Sequence, residues 1–285
     1  MSTLKTILKR SAADSMVSTW RHDRSQWGLW HWVIEVLGLR VVDINAEVPV
    51  FTKKDKIPVI RQWTVQLWIL LHALIPLGLH HAYTTYTGKN LNLIATFALY
   101  SAAFKLNVIH EIQIICRLGQ FYGFLDGDKH PRDDIPDVGV GKIIWGLVSM
   151  STSRTMMAMF LAYRPSEPPV SLEWRWLPLE IGLYSITIDF WFYWYHRMMH
   201  SVGPLWRFHR RHHLTKHPNP MLSGYADHEQ EFMDIAGIPL FSYTTLKLLG
   251  LPMGFYECWI APNILSLRSF LGIVASESMA VRLLP

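Results

Sequence analysis

Four stretches of this chain, Val65–Tyr83, Leu93–Ile115, Ile143–Tyr163 and Leu177–Tyr195, are apolar over about the 20 residues needed to cross the hydrocarbon of a bilayer. Lipid offers no partner to an open backbone N–H or C=O, so each such stretch has to be a helix. Composition agrees, because half of the residues are hydrophobic and only 17% are charged, against about 25% charged in an ordinary soluble chain. There is too little polar surface to solvate a water-soluble domain. Beyond the fourth stretch, Met233–Leu249 and Pro252–Ile264 are apolar but broken at Gly250 and Pro252. Two short spans, or a hairpin entering and leaving on one side, both satisfy that pattern. The expected fold is all-α: a multi-pass membrane protein of about four transmembrane helices and an apolar C-terminal hairpin, carrying a histidine-rich helical cap in the cytosol.

Basic residues orient the spans. Lys53, Lys54, Lys56 and Arg61 precede the first, and Arg117, Lys129, Arg132 and Lys142 lie between the second and third. If all four cross, both basic flanks fall on one side, the cytosolic one by the positive-inside rule. The polar N-terminus, with Lys5, Lys9, Arg10, Arg21 and Arg24 and no signal-peptide core, is expected on the same side. Trp27–Leu39 is too short and too polar to span and reads as an interfacial helix. The formal charge of +5 is scattered rather than gathered into a groove, which argues for a membrane flank and against nucleic acid. The chain divides accordingly into residues 1–62 (cytosolic and interfacial), 63–176 (transmembrane, with an acidic loop around Asp126–Val138), 177–264 (the histidine region) and 265–285, an atypical tail.

Two cysteines, Cys116 and Cys258, supply neither a disulfide framework nor a thiolate cluster. The 14 histidines are the more informative excess, since seven of them fall between His196 and His228. His196 and His200 are four apart, so on a helix continuing from the fourth span they share one face, a turn apart. A pair at that spacing is weak by itself, because two interfacial histidines look the same. His209, His212 and His213 repeat the i, i+3, i+4 geometry nine residues on. Packing does not explain two such boxes at one end of the bilayer, and metal ligation does. All-imidazole donors suit iron, zinc, copper or nickel.

His228, followed by Glu229 and Glu231, is a further candidate ligand, although an exposed surface histidine reads the same way; His217, before Pro218, ranks below it. Asp189 lies two turns before His196, and a carboxylate within a span is a functional candidate by default. It can ligate the metal or accept an imidazole N–H and orient a ligand; a water-solvated cavity aspartate is the plainer reading. Arg197, Arg207, Arg210, Arg211 and Lys216 interleave the boxes and suit either anionic headgroups or solvent. His72, His80, His81 and His110 fall on earlier spans, with His110 and Glu111 placed to approach the site.

With HRMMH and HRRHH following a span that contains an internal Asp, the chain resembles the fatty acid hydroxylase superfamily, which includes sterol C-5 desaturases, sterol C-4 methyl oxidases and sphingoid or fatty-acyl hydroxylases. The resemblance covers roughly Leu177–Phe241. It implies an endoplasmic-reticulum membrane protein with a non-haem di-iron centre, drawing electrons from NADH or NADPH through a separate cytochrome b5-type donor or its reductase. On that likeness the first box is His196 and His200 and the second His209, His212 and His213, while His228 with Glu231 is similar to the family's intermediate histidine. The family then expects a histidine in an HSG-like segment and a final HxxHH box. No histidine follows His228 here, so the matched set is six, or seven with His217, against about eight.

Three accounts of that shortfall stand: a shortened or misassembled version of a longer protein, one metal held well and the second poorly, or lost catalysis. The function expected is hydroxylation, or desaturation, of an unactivated C–H bond in a lipid drawn from the bilayer. His196, His200, His209, His212, His213 and Asp189 would form the catalytic set, and Trp191, Phe192, Trp194 and Tyr195 would sit beside the first box. The rival is a catalytically impaired relative that binds lipid or scaffolds an oxygenase. A histidine-based metal transporter fits least, since its polar residues would be spread along several spans.

Overall fold

A computed structural model describes residues 14–39, 49–51, 54–56, 59–123, 132, 134–215, 221–261, 263 and 282–284. Each of the four apolar stretches is a single helix. They are α2 (Gln62–Thr87), α3 (Leu93–Tyr122), α4 (Val140–Ala162) and α5 (Leu177–Ser201), preceded by the short α1 (Leu29–Val36). Then come α6 (Gly203–His209), α7 (His228–Phe232), a π-helical turn at Met233–Gly237 and α8 (Ile238–Leu248). A last helical segment covers residues 255–261. A three-residue parallel ladder pairs Val59–Arg61 with Arg282–Leu284. Apart from those last three positions, the expected C-terminal tail 265–285 lies outside the described residues, as do Lys5, Lys9, Arg10, Lys53, Lys129, Lys216, His217 and most of the acidic loop.

Among the described residues α2 and α3 are long and apolar enough to cross a membrane; α4 and α5 do not meet that measure, since Arg154, Asp189 and several hydroxyl residues dilute them. Their junction is chemically specified. Gly88 closes α2 in the left-handed conformation at φ +66°, which a side chain would disfavour. Asn92 then caps α3 by accepting from Ala95 N. Pro76 lies inside α2 and removes one helical N–H donor, and three residues before it the buried Trp259 donates through Nε1 to Ala73 O at 2.8 Å.

The outer face of α2 has the lipid signature. Trp63, Leu67, Leu71, Ile75 and Leu79 recur every four residues and each is about half exposed. A five-residue apolar stripe of that length is costly in water and neutral in hydrocarbon. Inside, an aromatic knot joins α3 to the 255–261 helix: Tyr100 meets Phe255 and Trp259 edge-on, with ring centroids 4.9 and 4.8 Å apart, pairs worth about 0.5–1.5 kcal/mol each beyond burial.

The C-terminal apolar region forms two short helices, with Gly250 at φ +85° where α8 ends. At 11 residues, α8 rises only ~17 Å, short of the ~30 Å hydrocarbon core. It packs along α5 instead, where Trp191 Nε1 donates to Thr245 Oγ1 at 3.1 Å. After the turn, Met253 N donates to the buried carboxylate of Glu180 at 2.6 Å, tying the hairpin to the foot of α5. α5 is thereby gripped along its length, and its far end carries the first histidine box.

Candidate metal centre

The last two turns of α5 present His196 and His200 on one face. At Val202 the backbone becomes extended, and Pro204, early in α6, restarts the helix in a new direction. α6 is short, and its final residue, His209, is fully buried. The chain then tightens into a 3₁₀ turn at His212–Leu214. This sharp reversal folds the second box back over the first.

One ligand atom each from His196, His200, His209 and His213 lies within 4.8 Å of the other three. Their Nε2 atoms form a chain, with His196 to His200 at 3.0 Å, His200 to His209 at 3.1 Å and His209 to His213 at 3.0 Å. Adjacent nitrogens each ~2.1 Å from one metal and at right angles would be ~3.0 Å apart. Burial, and then the neighbouring imidazoles, push His196 and His209 down to about 4, and His213 is lowered for the same reasons. These rings are therefore neutral near pH 7. Gln230 Oε1 lies 3.1 Å from Nδ1 of His209, on the side of the ring away from the Nε2 atom that meets His200 and His213. Four imidazole nitrogens gathered this closely fit a metal ion, which would satisfy all of them.

The surroundings shape the group. Trp206 walls one side, its ring 5.3 Å from His200 and 5.5 Å from His213, and Phe192 lies 5.4 Å from His196. His212 sits beside the group, its ring 5.7 Å from His209 and 5.4 Å from His213, without its ligand atoms joining the other four. His228 points elsewhere. Its side chain is 72% exposed and its Nδ1 meets Glu231 Oε2 at 3.1 Å. Asp189 is exposed on α5 and outside the group. His110 does not approach it either; its Nδ1 meets His72 Nε2 at 3.2 Å, pairing α3 with α2.

Box two is anchored by charges. Asp14, whose side chain has no exposure, lies 2.7 Å from Arg210 and 3.4 Å from Arg211. Arg211 also meets Asp227 at 2.6 Å, and Lys142 at the start of α4 lies 3.9 Å from the same oxygen. Arg210 and Arg211 thus face inward to carboxylates rather than outward to headgroups, while Arg197 and Arg207 remain exposed. The N-terminal segment is pinned again at Asp137, which accepts from Thr19 N at 2.7 Å and Trp20 N at 2.9 Å. Sequence reading passed over Asp14, Gln230 and Asp234. Asp14 is about 200 residues from its partners, and Gln230 was hidden in the acidic run around His228.

A family profile described as fatty acid hydroxylase matches residues 181–278. The "Fatty acid hydroxylase vlmA" of Lecanicillium sp is 38% identical over 241 residues, 80% of this chain and 66% of that protein, so the chain spans just under two thirds of this relative. An "Alkylglycerol monooxygenase" of Xenopus tropicalis is 37% identical over 57 residues, 20% of this chain and 12% of that protein. No solved structure matches significantly. The profile begins on the helix that carries the first histidine box and runs on through the second, and the similarity to the Lecanicillium protein extends well beyond it; the chain belongs to the fatty acid hydroxylase superfamily.

Proposed function

We propose that this protein is a membrane-embedded, O2-dependent oxidoreductase that hydroxylates an unactivated C–H bond of a lipid at a non-haem iron centre held by His196, His200, His209 and His213. The observation that carries the proposal is the convergence of one nitrogen from each of those four imidazoles within 4.8 Å. Iron, when bound, would supply the redox chemistry that such a bond requires and that no side-chain acid or base provides. Imidazole nitrogen is a suitable donor for it. The two names borne by the relatives, a hydroxylase and a monooxygenase, support the reaction class.

The chain's own residues would bind, orient and exclude. α5 brings the lipid-side aromatics Phe190, Tyr193 and Trp194 to the same rod that ends in His196 and His200, so a substrate tail lying among the helices reaches the ligands without entering water. Between α3, α4, α5 and α8 a small, largely apolar cavity, open on one side, is lined by Phe104, Met157, Leu161, Tyr184 and Tyr243 among others. Trp206 and Phe192 shield the imidazoles themselves.

In this reading α4 and α5 span together with α2 and α3. The histidines lie at the cytosolic rim of the endoplasmic reticulum membrane, and electrons arrive from NAD(P)H through a separate cytochrome b5-type protein. A di-iron centre would draw its second set of ligands from His212, His228 and His217. The proposal is tested on detergent-purified protein by metal analysis together with lipid oxidation in microsomes. One to two irons per chain, with oxidation abolished by His200→Ala and by His212→Ala while the protein still inserts, supports it. Iron-free protein, or unchanged product from both variants, overturns it in favour of a lipid-binding relative.

A further inference from the structure

The least explained part of the site lies behind it. Gln230 is only 4% exposed and sits on α7, on the far side of His209 from the other three imidazoles. Its side-chain oxygen faces His209 Nδ1 at 3.1 Å, and its Nε2 donates to Asp234 Oδ2 at 3.3 Å. Asp234 is the second residue of the π-helical turn Met233–Gly237, four residues after Gln230, and its other carboxylate oxygen is buried with no hydrogen-bond partner. π-turns are rare and concentrate at functional sites because they displace a side chain from its regular helical register.

From this arrangement we infer that Gln230 is a positioning residue for the metal centre, and that Asp234 sets the orientation of its amide. An amide side chain can present either oxygen or NH₂ to a neighbour, and the two ends differ in consequence. With NH₂ toward His209, the ring would have to accept at Nδ1 and carry its hydrogen on Nε2, where it would block the metal. With oxygen toward His209, Nδ1 donates and Nε2 is bare. Asp234 selects the second arrangement, because its Oδ2 accepts from the NH₂ end and leaves only the oxygen end for the imidazole. The order His209 Nδ1–H, Gln230, Asp234 thus places a proton where it cannot compete with a metal. It extends the reading above, since it names what holds one of the four ligands in its metal-binding tautomer. The binding tests below do not depend on turnover.

The experiment compares wild type with Gln230→Leu, which removes the acceptor at nearly constant volume, and Gln230→Glu, which keeps an oxygen toward Nδ1. Co(II) is titrated into metal-free protein in detergent against a competing chelator. The tautomer of His209 is read separately, without metal, from ¹⁵N shifts of histidine-labelled protein. Loss of such an outer partner costs about 10–100-fold in metal affinity. Gln230→Leu is expected to weaken Co(II) binding by that factor and to shift His209 away from the Nδ1–H form, while Gln230→Glu restores both. In a His209→Ala background Gln230→Leu should cost nothing further, which separates positioning from a loss of folding. The inference is overturned if Gln230→Leu binds Co(II) within about twofold of wild type, if the loss persists undiminished without His209, or if wild-type His209 carries its hydrogen on Nε2. Wild-type protein that binds Co(II) as expected yet never oxidises lipid would overturn the proposed function and leave this inference standing.

Discussion

Replacing Asp14 by Ala probes what holds the second histidine box in place. The Asp14 side chain is fully buried, and it neutralises Arg210 at 2.7 Å and Arg211 at 3.4 Å. Its Oδ2 makes no aligned hydrogen bond, so the contact with Arg210 is essentially Coulombic. In the variant Arg211 keeps Asp227 at 2.6 Å, and the burden falls on Arg210. A buried charge stripped of its partner costs about 3–5 kcal/mol. The Arg210 side chain is 30% exposed, so water recovers part of that, and a loss of about 2 kcal/mol is expected. This amounts to about 30-fold in the opening equilibrium of the N-terminal segment. Hydrogen exchange reads it locally at the amides of Thr19 and Trp20, which donate to Asp137. A double-mutant cycle with Arg210→Met isolates the pair. If the coupling is below about 0.3 kcal/mol, or if those amides exchange as in wild type, Asp14 does not clamp the box and the reasoning fails.

Other outcomes follow from the same geometry. On the proposed function, His213→Ala should strip iron from the purified protein, whereas His228→Ala, whose side chain is 72% exposed and turned to Glu231, should retain iron; equal losses in metal analysis would contradict that division. In the metal-free chain, the imidazoles of His196 and His209 stay neutral down to about 4, whereas the unfolded chain takes up those protons below about 6.5. Stability must therefore fall as pH drops from about 6.5 towards 4, and a flat unfolding profile across that window would refute the burial of these rings. At Asp137 burial would raise the carboxyl, but hydrogen bonds from Thr19 and Trp20 win and hold it below the usual range. The stability it contributes is present above about 3.9 and is lost only as pH falls through its lowered folded value. Release of residues 18–20, followed by limited proteolysis across an acid titration, should begin below the ordinary aspartate range.

Helix positions were legible because hydrophobic runs of bilayer length admit one backbone solution, and α2 to α5 lie where the four apolar stretches lie. The boxes were legible because i, i+4 spacing puts side chains on one face whatever surrounds them. Which members converge was not. His212 shares the pattern with His213, but the 3₁₀ turn that begins at His212 rotates the two rings to 79° of each other, and sequence spacing assumed an α-helix there. His228 precedes an acidic pair whose second member, Glu231, meets its ring. Arg210 and Arg211 read as facing either headgroups or solvent because their partners, Asp14 and Asp227, are remote from them in the sequence. Long-range ion pairs leave no periodic trace in a sequence.

The pairing of Asp14 with Arg211 spans 197 positions, and it has a consequence for biogenesis. A ribosome that has released the N-terminus and all of α2 to α5 has still not emitted the arginines that Asp14 must find. Loop closure over so long a contour is slow. The imidazoles on α5 can wait in position, but the second box is clamped only when Asp14 reaches Arg210 and Arg211. Iron loading should therefore be a post-insertional event, and a bulky fusion placed just ahead of Asp14 should show up first as empty metal sites in otherwise well-inserted protein.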